Sequence, residues 1–196
     1  MKVTEEHNIQ EGLDLSVISD DIDLERNGAT QADDLQAVEV EIERIAERHR
    51  QITASLQISQ PVEQVWKVLT DYEALADFIP NLTKSRLLEH PQGGIRLEQV
   101  GAQRFLRLNF CARVVLDLEE YFHKQINFRM VEGDFKDFSG SWLLEPYSLG
   151  EQIGTYLCYT VKIWPKRTMP IAIIERRISD DMRLNLLAIR QRVLQI

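Results

Sequence analysis

A run of strict alternation near the middle of the chain constrains the fold more than any other feature of this sequence. Seven consecutive alternate positions from Leu106 to Leu118 are all apolar, and the positions between them are mostly polar. This period of two predicts a β-strand with one dry face and one wet face. At about 3.3 Å per residue such a strand is roughly 40 Å long. We therefore expect a strongly twisted, curved sheet with a concave side.

The C-terminal segment predicts a single long helix. From about Met169 to Leu194, apolar residues recur at spacings of three and four: Ile171, Ile174, Ile178, Met182, Leu186, Ile189 and Val193. This period predicts a helix of about 25 residues, or roughly 37 Å, which matches the curved sheet in length. Its charged face is expected to point outward and carries Arg176, Arg177, Asp180, Arg183, Arg190 and Arg192.

The remaining elements are short. The alternation from Val38 to Glu43 predicts a strand that turns through residues 44–48 into a second strand ending at Ser59. Pro61 then begins a short amphipathic helix, and a second short helical segment ends before Pro80. Between Leu82 and Trp164 we expect about six strands, with turns at Gly93-Gly94, at Gly101-Ala102-Gln103 and near Ser148-Leu149-Gly150.

The acidic residues are concentrated at the start of the chain. The net charge is -8, and residues 1–43 hold 13 acidic and two basic side chains. Up to about Gln36 there is no aromatic residue and no sustained apolar period, so we expect residues 1–36 to form a disordered acidic tail and residues 37–196 the folded domain. Two interpretations of the tail stay open: a solubilising segment, or one that docks on its own domain or shields that domain from anionic surfaces. The tail is also a candidate contact for a protein partner.

Several classes of protein are not expected from this composition. No apolar run approaches the ~18 residues of a spanning helix. The first residues carry acids where an export signal needs a positive flank, so we expect a cytoplasmic protein, with peripheral association at a membrane as a further hypothesis. Cys111 and Cys158 have no metal-binding spacing and are expected to be free thiols.

Three segments carry a resemblance to a known family. The segment from Pro61 to Tyr72 followed by Phe78-Ile79-Pro80, the segment from Phe135 to Trp142, and the later Gly154-Thr155-Tyr156-Leu157 resemble motifs of the START-like (SRPBCC) superfamily. The branch they resemble holds polyketide cyclases/dehydrases and coenzyme Q-binding proteins. The resemblance covers about residues 48–194. It implies an α+β helix-grip fold (START/Bet v 1-like): a curved antiparallel sheet of about six to seven strands wrapped on the C-terminal helix, with two short helices after the first strand.

The resemblance also implies a function. Such domains hold a lipid, an isoprenoid quinone, a pigment or a similar molecule in an apolar cavity between sheet and helix, and we expect non-catalytic binding or transport here. The expected ligand-binding residues are Leu108, Phe110, Ala112, Phe128, Met130, Trp142, Leu144, Tyr159, Val161, Ile178, Met182 and Leu186. An alternative interpretation of these side chains is plain core. Trp142 and Tyr159 each bring a hydrogen-bond donor that needs a partner if buried.

No catalytic constellation, metal site or cofactor motif is expected. The four histidines are scattered, and Asp134 and Asp137 are typical of a turn. Lys166, Arg167, Arg176 and Arg177 form a basic patch expected to contact a membrane surface or partner. A nucleic-acid partner is not expected, because the chain is acidic. Two alternative functions stay open: an interaction module on an assembly such as the ribosome, and a polyketide-type cyclase or dehydratase that uses Tyr159.

Overall fold

The computed structural model describes residues 37–105, 108–150 and 152–196, and within them the side chains of residues 103–105, 108–110, 149 and 152 are not described. The predicted acidic tail, residues 1–36, lies outside this part of the chain. The elements are β1 (Glu39–Arg44), β2 (Arg50–Ile58), α1 (Val62–Thr70), α2 (Leu75–Phe78), β3 (Leu82–Leu88), β4 (Ile95–Phe105), β5 (Leu108–Tyr121), β6 (Gln125–Gly133), β7 (Asp137–Leu149), β8 (Gln152–Trp164) and α3 (Ile171–Val193).

Within the described residues, all the strands belong to one antiparallel sheet. The eight strands have the order β1-β2-β8-β7-β6-β5-β4-β3. The helices α1 and α2 connect β2 to β3, at the opposite edge of the sheet. The predicted α+β helix-grip fold is confirmed, but the sheet has more strands than the predicted six to seven because both arms of the β1–β2 hairpin join it. The two short helices, predicted after the first strand, follow the second strand because β1 precedes β2 in the chain.

One predicted turn is wrong. Gly101 and Ala102 lie inside β4, where they pair with Ala112 and Cys111 of β5. The turns at Gly93-Gly94 and Gly150 are present, and all three glycines have positive φ angles. Ser148 and Leu149, predicted in the same connection as Gly150, belong to β7 and pair with β8. One residue of β5 is also buried against expectation. Val115 lies between the alternate apolar positions, on the face predicted to be wet, yet it is only 3% exposed.

The core lies between the concave face of the sheet and α3. The buried face of α3 carries Ile174, Ser179, Met182, Leu186, Ile189 and Val193. From the sheet, Ile52, Ala54, Ile58, Leu144, Leu157, Val161 and Ile163 contribute to the same cluster, and α1 adds Val65, Trp66, Val68 and Leu69. Within the described residues, no helix is long and apolar enough to cross a membrane.

Candidate functional site: a two-lobed cavity along the C-terminal helix

The space between α3 and the sheet is not completely filled. Two adjoining pockets remain, one of about 170 Å³ beside Ile189 near the end of α3 and one of about 180 Å³ beside Ile174 and Ile178 near its beginning. We call them the C-lobe and the N-lobe, after the end of α3 that each borders. Because side chains of β4, β5, β7 and β8 line both pockets, the curvature of the sheet creates the space.

The walls of the two lobes are mainly apolar. The C-lobe alone is bordered by Leu69, Tyr72, Leu75, Ile79, Pro80, Leu97, Leu116, Leu118, Ile126, Phe128, Trp142 and Ile189. The N-lobe alone is bordered by Ala102, Ala112, Val114, Phe135, Val161, Ile174, Arg177, Ile178 and Met182. Leu82, Gly101 and Phe138 border both. These surfaces favour an apolar occupant because its burial removes apolar area from water.

Polar side chains are concentrated where the lobes meet. Asn81, Gln99, Tyr159, Asp181 and Asn185 border both lobes, and we call this group the waist. The side-chain amide of Asn81 donates a hydrogen bond of 3.0 Å to the Asp181 carboxylate, which joins the α2–β3 connection to α3. Asn81 has a φ angle of 63°, a left-handed conformation that asparagine tolerates better than most residues.

The waist is poorly solvated. Burial raises the pKa of the Asp181 carboxyl, although the hydrogen bond from Asn81 and the positive charge of Arg177 act in the opposite direction. The pKa of Tyr159 is also raised, by burial and by the negative charge of Asp181. Among the described residues we find no hydrogen-bond partner for the Tyr159 hydroxyl. A polar group of a ligand could therefore interact with both side chains.

An aromatic wall surrounds the Tyr159 ring. Trp142 stacks on it with ring centroids 3.7 Å apart, and Phe128 lies 6.1 Å away. Gly140 allows this arrangement, because a Cβ atom there would come within 2.6 Å of the Phe128 ring and closer still to the Thr160 carbonyl oxygen. The glycine that precedes Trp142 in the sequence motif therefore has a packing role.

The predicted ligand-binding residues fall into three groups. Seven border the cavity: Ala112, Phe128, Trp142, Tyr159, Val161, Ile178 and Met182. Met130, Leu144 and Leu186 do not border it: Leu144 and Leu186 are buried in the core, and Met130 is half-buried against it. The side chains of Leu108 and Phe110 lie outside the described part of the structure. Ligand binding by any of these residues stays a prediction.

The predicted basic patch is divided. Lys166, Arg167 and Arg176 are exposed, whereas Arg177 is half-buried and borders the N-lobe instead of pointing outward. The reason is its position on α3, one helical turn before Asp181 and next to Ile178, at the edge of the buried face.

Sequence reasoning missed the polar waist. Asp181 and Asn185 lie one turn apart within the apolar stripe of α3, and two polar residues in such a stripe are a signal that could have identified them. Asn81 and Gln99 carried no comparable signal. Elsewhere in the described ranges, His, Cys, Asp and Glu form no group of three that could hold a metal ion.

Comparison with known proteins identifies the family. Residues 58–187 match the family described as polyketide cyclase / dehydrase and lipid transport. The chain belongs to this family. The predicted membership of the START-like superfamily, in its polyketide cyclase/dehydrase branch, is thus confirmed. The search of curated proteins found no match to the sequence.

Solved structures of other proteins share the fold of this chain. The Zhui aromatase/cyclase from Streptomyces sp. R1128 superposes with a TM-score of 0.61 at 18% identity, over 75% of this chain and 94% of that one. A START superfamily protein from Mycobacterium smegmatis gives 0.61 at 15% identity, over 74% and 97% of the two chains. A STAR-related lipid transfer protein fragment from Xanthomonas axonopodis gives 0.57 at 16%, over 79% and 98%. At these identities the similarity establishes the fold alone.

Proposed function

We propose that this domain binds a hydrophobic small molecule, such as a lipid, an isoprenoid quinone or a pigment, in the cavity along α3 and carries it without chemical change. The observation that supports this most directly is the pair of apolar lobes, which remain open where a fully packed core would be filled. Interiors of proteins are normally close-packed, so an unfilled apolar recess between a sheet and a helix is a surface that an apolar ligand can cover.

A pair of matched variants tests this proposal. Ile178→Trp places a larger side chain in the N-lobe, whereas Ile173→Trp makes the same change on the same helix at a residue that is 50% exposed. The probe is N-phenyl-1-naphthylamine, which becomes fluorescent in apolar surroundings. We expect Ile178→Trp to weaken its binding at least about ten-fold, equivalent to 1.4 kcal/mol. We expect Ile173→Trp to bind like the wild type.

Probe binding by the same two variants can also contradict the proposal. If wild type and both variants bind the probe equally, the probe does not occupy the cavity and the proposal fails. Thermal unfolding of each variant shows whether a loss of binding follows from a loss of folding.

A second part of the proposal concerns loading at a membrane surface. Lys166, Arg167 and Arg176 are exposed beside Trp164 and Ile173, which are 37% and 50% exposed. Each basic residue near an anionic bilayer contributes about 1 kcal/mol of binding free energy. The guanidinium group of Arg48 donates hydrogen bonds to the carbonyl oxygens of Lys166 and Met169, which fixes this connection.

Vesicle binding tests the membrane contact. We expect the double variant Lys166→Glu/Arg167→Glu to lose co-sedimentation with phosphatidylserine-containing vesicles while the wild type retains it. The control is Lys67→Glu/Lys124→Glu, which changes the net charge equally at two exposed residues on α1 and the β5–β6 turn. Equal loss in both double variants would indicate a general charge effect and contradict a local contact.

One observation favours an enzymatic alternative. Tyr159 and Asp181 border the same cavity, so a hydroxyl group and a carboxyl group are available there as proton donor and acceptor. The two functions differ in the fate of the ligand: a carrier returns it with unchanged mass after incubation, whereas a cyclase or dehydratase does not. Loss of the conversion in Tyr159→Phe would support the enzyme.

A further inference from the structure

The two lobes together form a cavity with apolar ends and a polar middle. Along α3, Ile174 and Ile178 border the N-lobe, Asp181 borders both lobes, and Ile189 borders the C-lobe. The rise of an α-helix makes the distance from Ile174 to Ile189 about 22 Å. Along β8, Tyr159 borders both lobes in the same way. The waist therefore crosses the cavity near its centre.

Neither lobe alone has the volume of a typical ligand site. Sites for drug-sized molecules measure roughly 300–1,000 Å³, and the lobes measure about 170 and 180 Å³. A larger ligand must extend past the waist, where a side-chain hydrogen bond joins Asn81 to Asp181 and both residues border both lobes. On the Asn81 side the backbone is fixed, because its carbonyl oxygen accepts a 2.8 Å hydrogen bond from the Ala102 amide. The side-chain bond between Asn81 and Asp181 is therefore the part that must open.

The chemistry of the waist restricts what can pass through it. A purely apolar segment would separate Asp181 from Asn81 and leave two half-buried polar groups unpaired, which is energetically costly. A hydroxyl group at this position could donate to the Asp181 carboxylate and accept hydrogen bonds from the Asn81 amide and the Tyr159 hydroxyl, because it has one donor and two lone pairs. A single hydroxyl of the ligand thus satisfies all three protein groups.

Building on the proposed function, we infer that the ligand carries a hydroxyl or similar hydrogen-bonding group between two apolar parts, and that this group replaces the Asn81–Asp181 hydrogen bond at the waist. The apolar parts then occupy the N-lobe and the C-lobe. A ligand with its polar group at one end either leaves the polar groups of the waist without a hydrogen-bond partner or leaves one lobe empty.

Two isomeric alcohols test this inference on the wild-type protein. Hexadecan-8-ol has its hydroxyl near the middle of the chain and hexadecan-1-ol at the end, with the same composition. In competition with N-phenyl-1-naphthylamine, we expect the mid-chain isomer to bind about ten-fold more tightly, since its hydroxyl alone can reach the waist without leaving a lobe empty. Equal binding, or tighter binding of the terminal alcohol, would overturn the inference and leave the proposed function intact. Binding of neither alcohol nor the probe would overturn both.

Two variants locate the effect at the waist. Asp181→Leu should abolish the preference between the isomers. Asn81→Gly keeps the left-handed backbone and removes the bond that must open, so the mid-chain isomer should bind about five-fold more tightly. His123→Gly is its matched control, because His123 also has a positive φ angle, of 57°, and does not border the cavity. An unchanged preference in folded Asp181→Leu, or equal effects of the two glycine variants, would contradict the assignment.

Discussion

Glu98 shows how the sheet separates an apolar face from a charged one. It alternates along β4 with Leu97 and Gln99, which border the cavity, and so it faces the opposite side. Its carboxylate interacts with Lys84 at 2.6 Å, with Arg86 at 2.9 Å and with Arg113 at 2.7 Å. Hydrogen bonds from Lys84 and then Arg113 lower the pKa of Glu98 to about 2, in spite of its burial.

This lowered pKa predicts a specific dependence of stability on pH. Because the carboxylate is favoured in the folded state, its contribution is present above the unfolded value of 4.5 and is lost as the pH falls toward 2. We expect Glu98→Gln to reduce the loss of unfolding free energy between pH 4.5 and 2, measured by urea denaturation. Glu132→Gln changes an exposed partner of Arg113 and is the control. Parallel curves for wild type and Glu98→Gln would contradict the account.

Single residues also show where prediction from sequence stops. Trp142 and Tyr159 could be identified as inward-facing side chains that carry a hydrogen-bond donor, because large amphipathic side chains on an inward face are informative by themselves. Both are half-buried. The role of Asn81 could not, since its hydrogen bond to Asp181 joins residues 100 positions apart. Such a contact depends on the packing of the α2–β3 connection against α3, which no local pattern encodes.

At the scale of elements, α3 both closes the core and forms a cavity wall. Its periodicity predicted the helix and its buried stripe, but it could not separate residues with core contacts from residues facing open space. Leu186 is completely buried, whereas Ile178 borders the N-lobe. The difference depends on the side chains that the sheet presents opposite each position.

Alanine substitutions separate these two roles. Leu186→Ala should lower the unfolding free energy by about 2–5 kcal/mol, because it leaves a new cavity in packed core. Ile178→Ala, made at a side chain that already borders empty space, should have a clearly smaller effect on stability. Urea denaturation of both variants measures the difference. Equal losses would mean that the N-lobe is closed in solution.

The turn predicted within β4 was wrong because contacts distant in sequence determine the conformation there. Gly101-Ala102-Gln103 has the composition of a turn, yet β4 continues through it because the strand pairs with β5 from Ile95 to Phe105. Gly101 borders the cavity where the Asn81 carbonyl oxygen approaches. Long-range pairing and a close backbone contact determine the conformation here, and a local sequence pattern contains neither.

For the whole molecule, the sequence predicted the fold more completely than it predicted the cavity. The long alternating strand, the long amphipathic helix and the motif residues together define a helix-grip architecture. Whether a curved sheet and a helix enclose space depends on the summed volumes of side chains from several strands. The polar waist depends further on which of those side chains meet. The volume of the cavity and the chemistry of its ligand can therefore be inferred only from the three-dimensional structure.

Native mass spectrometry of protein purified from its own host, followed by organic extraction, tests the central claim most directly. The account predicts that the wild type carries a stoichiometric hydrophobic molecule, and that the extracted molecule has the same mass as the one bound in the native protein. The molecule should be absent from Ile178→Trp and present in Ile173→Trp. An empty wild-type protein that instead co-purifies with a macromolecular assembly would contradict the account and make the cavity wall part of an ordinary core.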